Sequence, residues 1–149
     1  MTLDNLIGKG LQREPADAQE IGRFLTRIAT KLLDSQNTQI STESRFDIAY
    51  EALLQLGLVA LRARGLRPDS KGGHHVMALQ TLNLTIGYPR EKLRVLDQFR
   101  RKRSAGLYDG SFEPSQAELD ALIHSVTDIK TGLEHWLATE RPELLGGSK

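Results

Sequence analysis

The stretch FDIAYEALLQLGLVALRARG, residues 46–65, decides the fold. Phe46, Ala49, Tyr50, Leu53, Gly57, Ala60 and Leu61 recur at helical spacing and make one apolar face. Leu54, Leu58 and Val59 add apolar surface on another side. A helix that is apolar on more than one side must be surrounded by other elements. The spacing therefore predicts a central, largely buried helix. Ser41 or Thr42 is suited to cap its start. Gly65 is placed to end it as the residue just past the cap. Arg62, Arg64 and Arg67 gather at that end, where cations complement the helix dipole.

Working outward, the same period recurs on both sides. Ile21, Phe24, Leu25, Ile28, Ala29, Leu32 and Leu33 form a stripe on a helix predicted over 15–34, with Pro15 in its first turn. Residues 35–39 are polar and read as a loop. Downstream, LRPDSKGG (66–73) is a loop, and a helix is predicted over 74–85 with Val76, Leu79, Leu82 and Ile86 inward. Pro89 disfavours helix at Tyr88. The next helix runs over 89–105, with Leu93, Leu96 and Phe99 inward. YDGSFEPSQ (108–116) is a loop, and a last helix over 114–139 carries Leu119 to Leu137, with Trp136 in the core. The tail from Glu140 is expected to fray. No strand alternation rises above this pattern. The expected architecture is all-α: an up-down bundle of four to five antiparallel helices. It forms one domain over 1–149, with a core over about 16–137 and peripheral ends.

Composition narrows the function classes. The 149 residues carry 20 basic and 19 acidic side chains, a net charge of +1. Any attraction for nucleic acid must then come from local clustering. There is no cysteine, which excludes disulfides, thiolate metal sites and a cysteine nucleophile. No apolar run reaches the ~20 residues of a membrane span, and MTLDNLIGKG lacks a signal-peptide core. The expectation is a cytoplasmic protein with no membrane partner.

Charge does cluster in QFRRKRSAGLYDG, residues 98–110. The plain reading is a helix end with favourable cations, stopped by Gly106. The functional reading is anion binding by Arg100, Arg101, Lys102 and Arg103, because guanidinium groups fork onto phosphate oxygens. Tyr108 is then placed to stack on a base or bond a phosphate. His74 and His75 are adjacent, so they diverge by about 100° on a helix and cannot form a metal pair. His124 and His135 stand too far apart for one ion. Gly72–Gly73 before His74 is too short for a phosphate-binding loop motif. No metal or cofactor is expected.

The order of these features resembles the HEPN superfamily (higher eukaryotes and prokaryotes nucleotide-binding), and within it the small stand-alone bacterial members. The matching features are Ala49-Tyr50-Glu51-Ala52 on the second helix, His74 or His75 after the loop, and Arg103-Ser-Ala-Gly-Leu-Tyr108 at the end of the next helix. The resemblance covers roughly 16–137. It implies a helical bundle that forms a homodimer, with the Arg motifs of both copies meeting in a cleft. It also implies binding of RNA or a nucleotide, or metal-independent RNA cleavage by an Arg-x4-6-His motif. Many members are toxins paired with a nucleotidyltransferase antitoxin. In this chain the histidine position is Tyr108 counted from Arg103, and Gly106 counted from Arg101. Tyrosine titrates near ~10 and is a poor general base at neutral pH.

Three functions stay open on the residues. The leading expectation is RNA or nucleotide-phosphate binding at a basic dimer cleft through Arg100, Arg101, Lys102 and Arg103, with His74 or His75 near. Another is a divergent endoribonuclease toxin using Arg103 and Tyr108, with His74 or His75 as a further participant. The third is a helical interaction module without a ligand. Tyr108 is also a candidate modification site for a nucleotidyltransferase partner.

Overall fold

A computed structural model describes residues 2–69 and 73–146. Ser70, Lys71 and the Gly72 of the Gly72–Gly73 pair lie outside the described residues, as do residues 147–149. In chain order the elements are α1 (Leu3–Leu6), β1 (Leu11–Arg13), α2 (Ala18–Asp34), α3 (Thr42–Ala63), β2 (Leu66–Pro68), α4 (His74–Gln80), α5 (Leu82–Ile86), α6 (Arg90–Asp109) and α7 (Gln116–Glu140). A 3-10 turn, Pro142–Leu144, follows.

The fold is an all-α bundle organised around α3. Ser41 caps it, its hydroxyl accepting the Ser44 N–H at 3.2 Å. Gly65 leaves it at φ +72°. Tyr50, Leu53, Leu56, Val59 and Ala60 are fully buried, as a helix packed by α2, α7 and the α4–α6 segment requires. Phe46 meets Phe99 and Phe112 edge-to-face at 6.0 and 5.2 Å, which joins α3 to α6 and the loop after it. Gly57 permits the closest approach. A Cβ there would stand 2.4 Å from the Ala78 carbonyl oxygen, so only glycine lets α4 lie on α3.

Several boundaries differ from the sequence expectation for local reasons. α2 begins at Ala18, because the Asp17 carboxylate accepts the Gln19 N–H at 2.9 Å and caps it there; Pro15 lies before the helix. Its stripe is narrower than expected: Ala29 is exposed and Leu33 is 71% exposed. The helix expected over 74–85 is two, broken at Thr81, whose hydroxyl bonds the Met77 carbonyl at 2.6 Å. α6 continues through Gly106 and ends only at Gly110, φ +68°. Gly106 does not stop the helix; it packs against Phe112. α7 starts two residues later than expected, at Gln116, where Ser115 and Glu118 form a reciprocal capping box.

Two expectations of disorder or periphery are corrected. β1 and β2 pair antiparallel, Leu11 opposite Pro68 and Arg13 opposite Leu66. Three-residue strands are too short to show alternation in a sequence. Their inner residues, Leu11 and Leu66, bury with Leu61 in a small second core. Arg62 fastens this edge to the bundle. Its side chain is 2% exposed and reaches the Glu20 carboxylate at 2.6 Å, and the Glu14, Pro15 and Leu66 carbonyls at 2.8, 2.8 and 3.2 Å. Arg67 completes the network on Glu14 and Glu20 at 2.7 and 2.6 Å. The N-terminal segment is thus tied to α3. The tail is also docked as far as Leu144, which is buried, and Arg141 donates to the Ala63 carbonyl at 2.6 Å.

Arg64 leaves the end of α3 to lie 4.7 Å from the centre of the half-buried Trp136 ring, and its Nη2 donates to the Thr85 carbonyl at 2.6 Å. Among the described residues no helix is long and apolar enough to cross a membrane.

Candidate phosphate-binding site

α6 buries only Leu96 and Phe99, so most of its circumference is free for charge. The cationic block does not present four free charges. Arg100 and Arg101 share Asp97, at 2.9 and 2.8 Å. Lys102 pairs with Glu118 at 2.6 Å. Arg103 stands apart. Its nearest carboxylate oxygen, on Asp47, is 3.7 Å from Nε, and that buried Nε has no hydrogen-bond partner. The side chain is 22% exposed, and its guanidinium carbon lies 5.1 Å from the centre of the Tyr50 ring.

Tyr50 collects the cluster. The His75 ring packs on it at 5.9 Å between centroids, and the Tyr50 hydroxyl stands 3.5 Å from His75 Nδ1, the long limit of a hydrogen bond. Burial pushes the Tyr50 phenol up to about 12, against the opposing pull of Arg103 and Arg100. The phenol therefore stays protonated beside Nδ1. His75 is held below the ordinary imidazole value, first by burial, then by the charge of Arg103, with smaller contributions from His74 and Arg100. Asp47 is pushed up, first by burial, with Arg103 pulling down and Glu51 adding to the rise. The carboxylate nearest Arg103 is thus a poorly stabilised partner.

The surroundings of Arg103 are asymmetric. One side opens on a cavity of about 160 Å³ shared with Glu43, Asp47, Leu107 and Phe112. Two carboxylates there repel an anion. On the other side Arg103 meets the Tyr50 ring, on which His75 also packs, with the Arg100 charge near. Sequence spacing therefore brings together Arg103, Arg100 and His75.

It does not bring the rest. His74 turns away, its Nε2 against the Asp69 carbonyl. Tyr108 belongs to the last turn of α6 rather than to a loop, and it points about 140° away from Arg103 around the helix. It is 84% exposed. His124 and His135 are exposed on α7. Among the described residues no three His, Cys, Asp or Glu side chains are placed to hold a metal ion.

A second concavity lies between α4–α5 and α6. It encloses about 560 Å³ and is lined by Gln80, Asn83, Leu84, Arg90, Leu93, Arg94, Asp97, Gln98 and Arg101. Arg90 and Arg94 belong to no motif in the sequence. Their i, i+4 spacing, and the seven-residue step from Arg94 to Arg101, were the available signal. Tyr50 and Asp47 were also missed, Tyr50 because a buried tyrosine reads as core.

No family model, curated protein or solved structure matches this chain.

Proposed function

We propose that the chain is a HEPN-like helical protein that binds RNA or a nucleotide phosphate through Arg103, with Arg100 and His75 beside it. The observation that carries this reading is the Arg103 Nε, buried, unbonded and poorly matched to Asp47. Burying an unsatisfied guanidinium donor costs free energy that a phosphate oxygen would recover. The resemblance adds a homodimer in which two such sites face one cleft. It also adds a nucleotidyltransferase antitoxin as partner, for which Tyr108 offers an exposed hydroxyl.

A second reading, a metal-independent endoribonuclease of a toxin–antitoxin pair, is favoured by one feature. His75 shares Tyr50 with Arg103 and is biased toward the neutral imidazole that a general base requires. It stands where Tyr108 does not.

Labelled single-stranded RNA incubated with purified protein and EDTA tests both. On the binding reading RNA shifts but stays intact. Arg103→Ala then weakens binding about ten- to a hundredfold, the worth of a charge-assisted hydrogen bond, and lowers the salt slope by about 0.7. Binding equal to wild type removes Arg103 from the site. Cleavage that persists in Arg103→Ala but disappears in His75→Ala and in the double variant is not the expected pattern of either reading. Cleavage lost in each single variant makes the protein a nuclease.

A further inference from the structure

The groove between α4–α5 and α6 is separate from the Arg103 cluster. At about 100° per residue, Arg94 and Arg101 stand about 180° and 160° around α6 from Arg103. Arg90, Arg94 and Arg101 instead fall within about 40° of one another, on the face of α6 that lines the groove. Its cavity of about 560 Å³ lies within the size range of small-ligand sites.

The charge of this groove is unbalanced at one end. Arg101 shares Asp97 with Arg100, at 2.8 and 2.9 Å. Among the described residues no carboxylate pairs with Arg90 or Arg94. Arg90 is nonetheless held in place. The Asn83 side-chain amide donates to the Tyr88 carbonyl at 2.9 Å, and its oxygen accepts the Arg90 Nε–H at 3.2 Å. This relay orients the guanidinium without neutralising it. Both Nη groups are left with no partner among the described residues. Arg94 follows one turn later, about 6 Å along the helix, so a single anion can meet both side chains. Two guanidinium charges match the charge of about −1.5 to −2 on a phosphomonoester at neutral pH, and their forked donors match its oxygens.

The rest of the lining indicates what that phosphate is attached to. Leu84 and Leu93 supply a short apolar wall, and Gln80 and Gln98 supply carboxamides with both donors and acceptors. Asp97 sets a carboxylate three residues past Arg94, which disfavours a second phosphate there. No aromatic ring lines the groove for a base to stack on. One phosphate on a small hydroxylated body satisfies all of these groups.

We propose that this groove binds a sugar phosphate, with the phosphate on Arg90 and Arg94 and the sugar hydroxyls on Gln80 and Gln98. The site goes beyond the Arg103 reading and does not rest on it.

Titration of the full-length, 15N-labelled chain with ribose 5-phosphate and with glucose 6-phosphate, followed by amide NMR shifts, tests this. Inorganic phosphate and ribose serve as the separate halves of the ligand. At least one sugar phosphate should shift the amides of Asn83, Leu84 and Gln98 and bind about tenfold more tightly than inorganic phosphate. The double variant Arg90→Ala, Arg94→Ala should weaken that binding at least about tenfold. Both side chains are exposed, and thermal melts check that the variant folds. Arg103→Ala should bind the sugar phosphate as wild type does. No shift with either sugar phosphate overturns the site, as does binding that survives in the double variant. Inorganic phosphate binding as tightly as the sugar phosphates leaves only a general anion contact and overturns it too. Binding lost in Arg103→Ala and kept in the double variant moves the phosphate to the Arg103 cluster, which overturns the groove and supports the Arg103 reading.

Discussion

Tyr50 shows how one side chain organises a site. Its ring is fully buried in the core, yet it gives His75 and Arg103 a common platform. The consequence is measurable on His75. Burial and the nearby Arg103 charge both oppose its protonation. Its ring should titrate below the ~6.5 of a free imidazole by proton NMR, and Arg103→Gln should move the midpoint upward. A midpoint that ignores Arg103 would mean that the two do not meet. A folded-state value below the unfolded one also has a fixed sign. The folded state resists the proton, so His75 contributes to stability above about 6.5 and that contribution falls as pH drops below it. At this scale the sequence was half legible. Arg103 is readable from its motif, but the choice between His74 and His75 depends on which way the first turn of α4 faces.

Among the elements, α4 is the one whose placement matters most to the site. It carries His75 and walls the groove, and it is seated by the backbone contact between Gly57 and Ala78. Gly57→Ala improves intrinsic helix propensity by about 1 kcal/mol. It also drives a methyl group into a backbone carbonyl that cannot rotate away. Overpacking of this kind costs about 1–3 kcal/mol. The variant should therefore lose net stability in denaturant melts, and its His75 resonance should shift as α4 lifts. A more stable variant with an unmoved His75 would show that α4 tolerates displacement. Gly57 appears in the sequence as one more small residue on an apolar face, and nothing in the periodicity reveals what it faces. The long helices α2, α3, α6 and α7 were legible because each repeats its pattern over four or more turns. β1, β2 and the break at Thr81 were not, since each is decided by a few hydrogen bonds to distant or local partners.

The whole molecule is closed at one end by ion pairs rather than by apolar packing alone. Arg62 and Arg67 hold Glu14 and Glu20 below the ordinary carboxylate value. The Arg67 hydrogen bond dominates at Glu14; at Glu20, burial raises the value and the two arginine bonds overcome it. Lys102 does the same to Glu118 between α6 and α7. With folded values below the unfolded reference of 4.5, these groups stabilise the fold above that pH and cease to do so as pH falls through their folded values. The melting temperature should drop steeply below about pH 4.5, and Glu20→Gln should flatten that limb while lowering stability at neutral pH. An acid limb unaltered by the substitution would assign the loss to other carboxylates.

The placement of Trp136 gives the molecule an optical property of its own. It is the sole tryptophan, so all indole emission comes from one place. Arg64 lies over its ring and at the same time grips the Thr85 carbonyl of α5, the helix whose Asn83 and Leu84 face the groove. The guanidinium is thus a tether between a groove wall and a fluorophore. Any occupant that displaces α5 pulls a cation across an excited-state dipole, and the colour of the protein's own light changes without a dye.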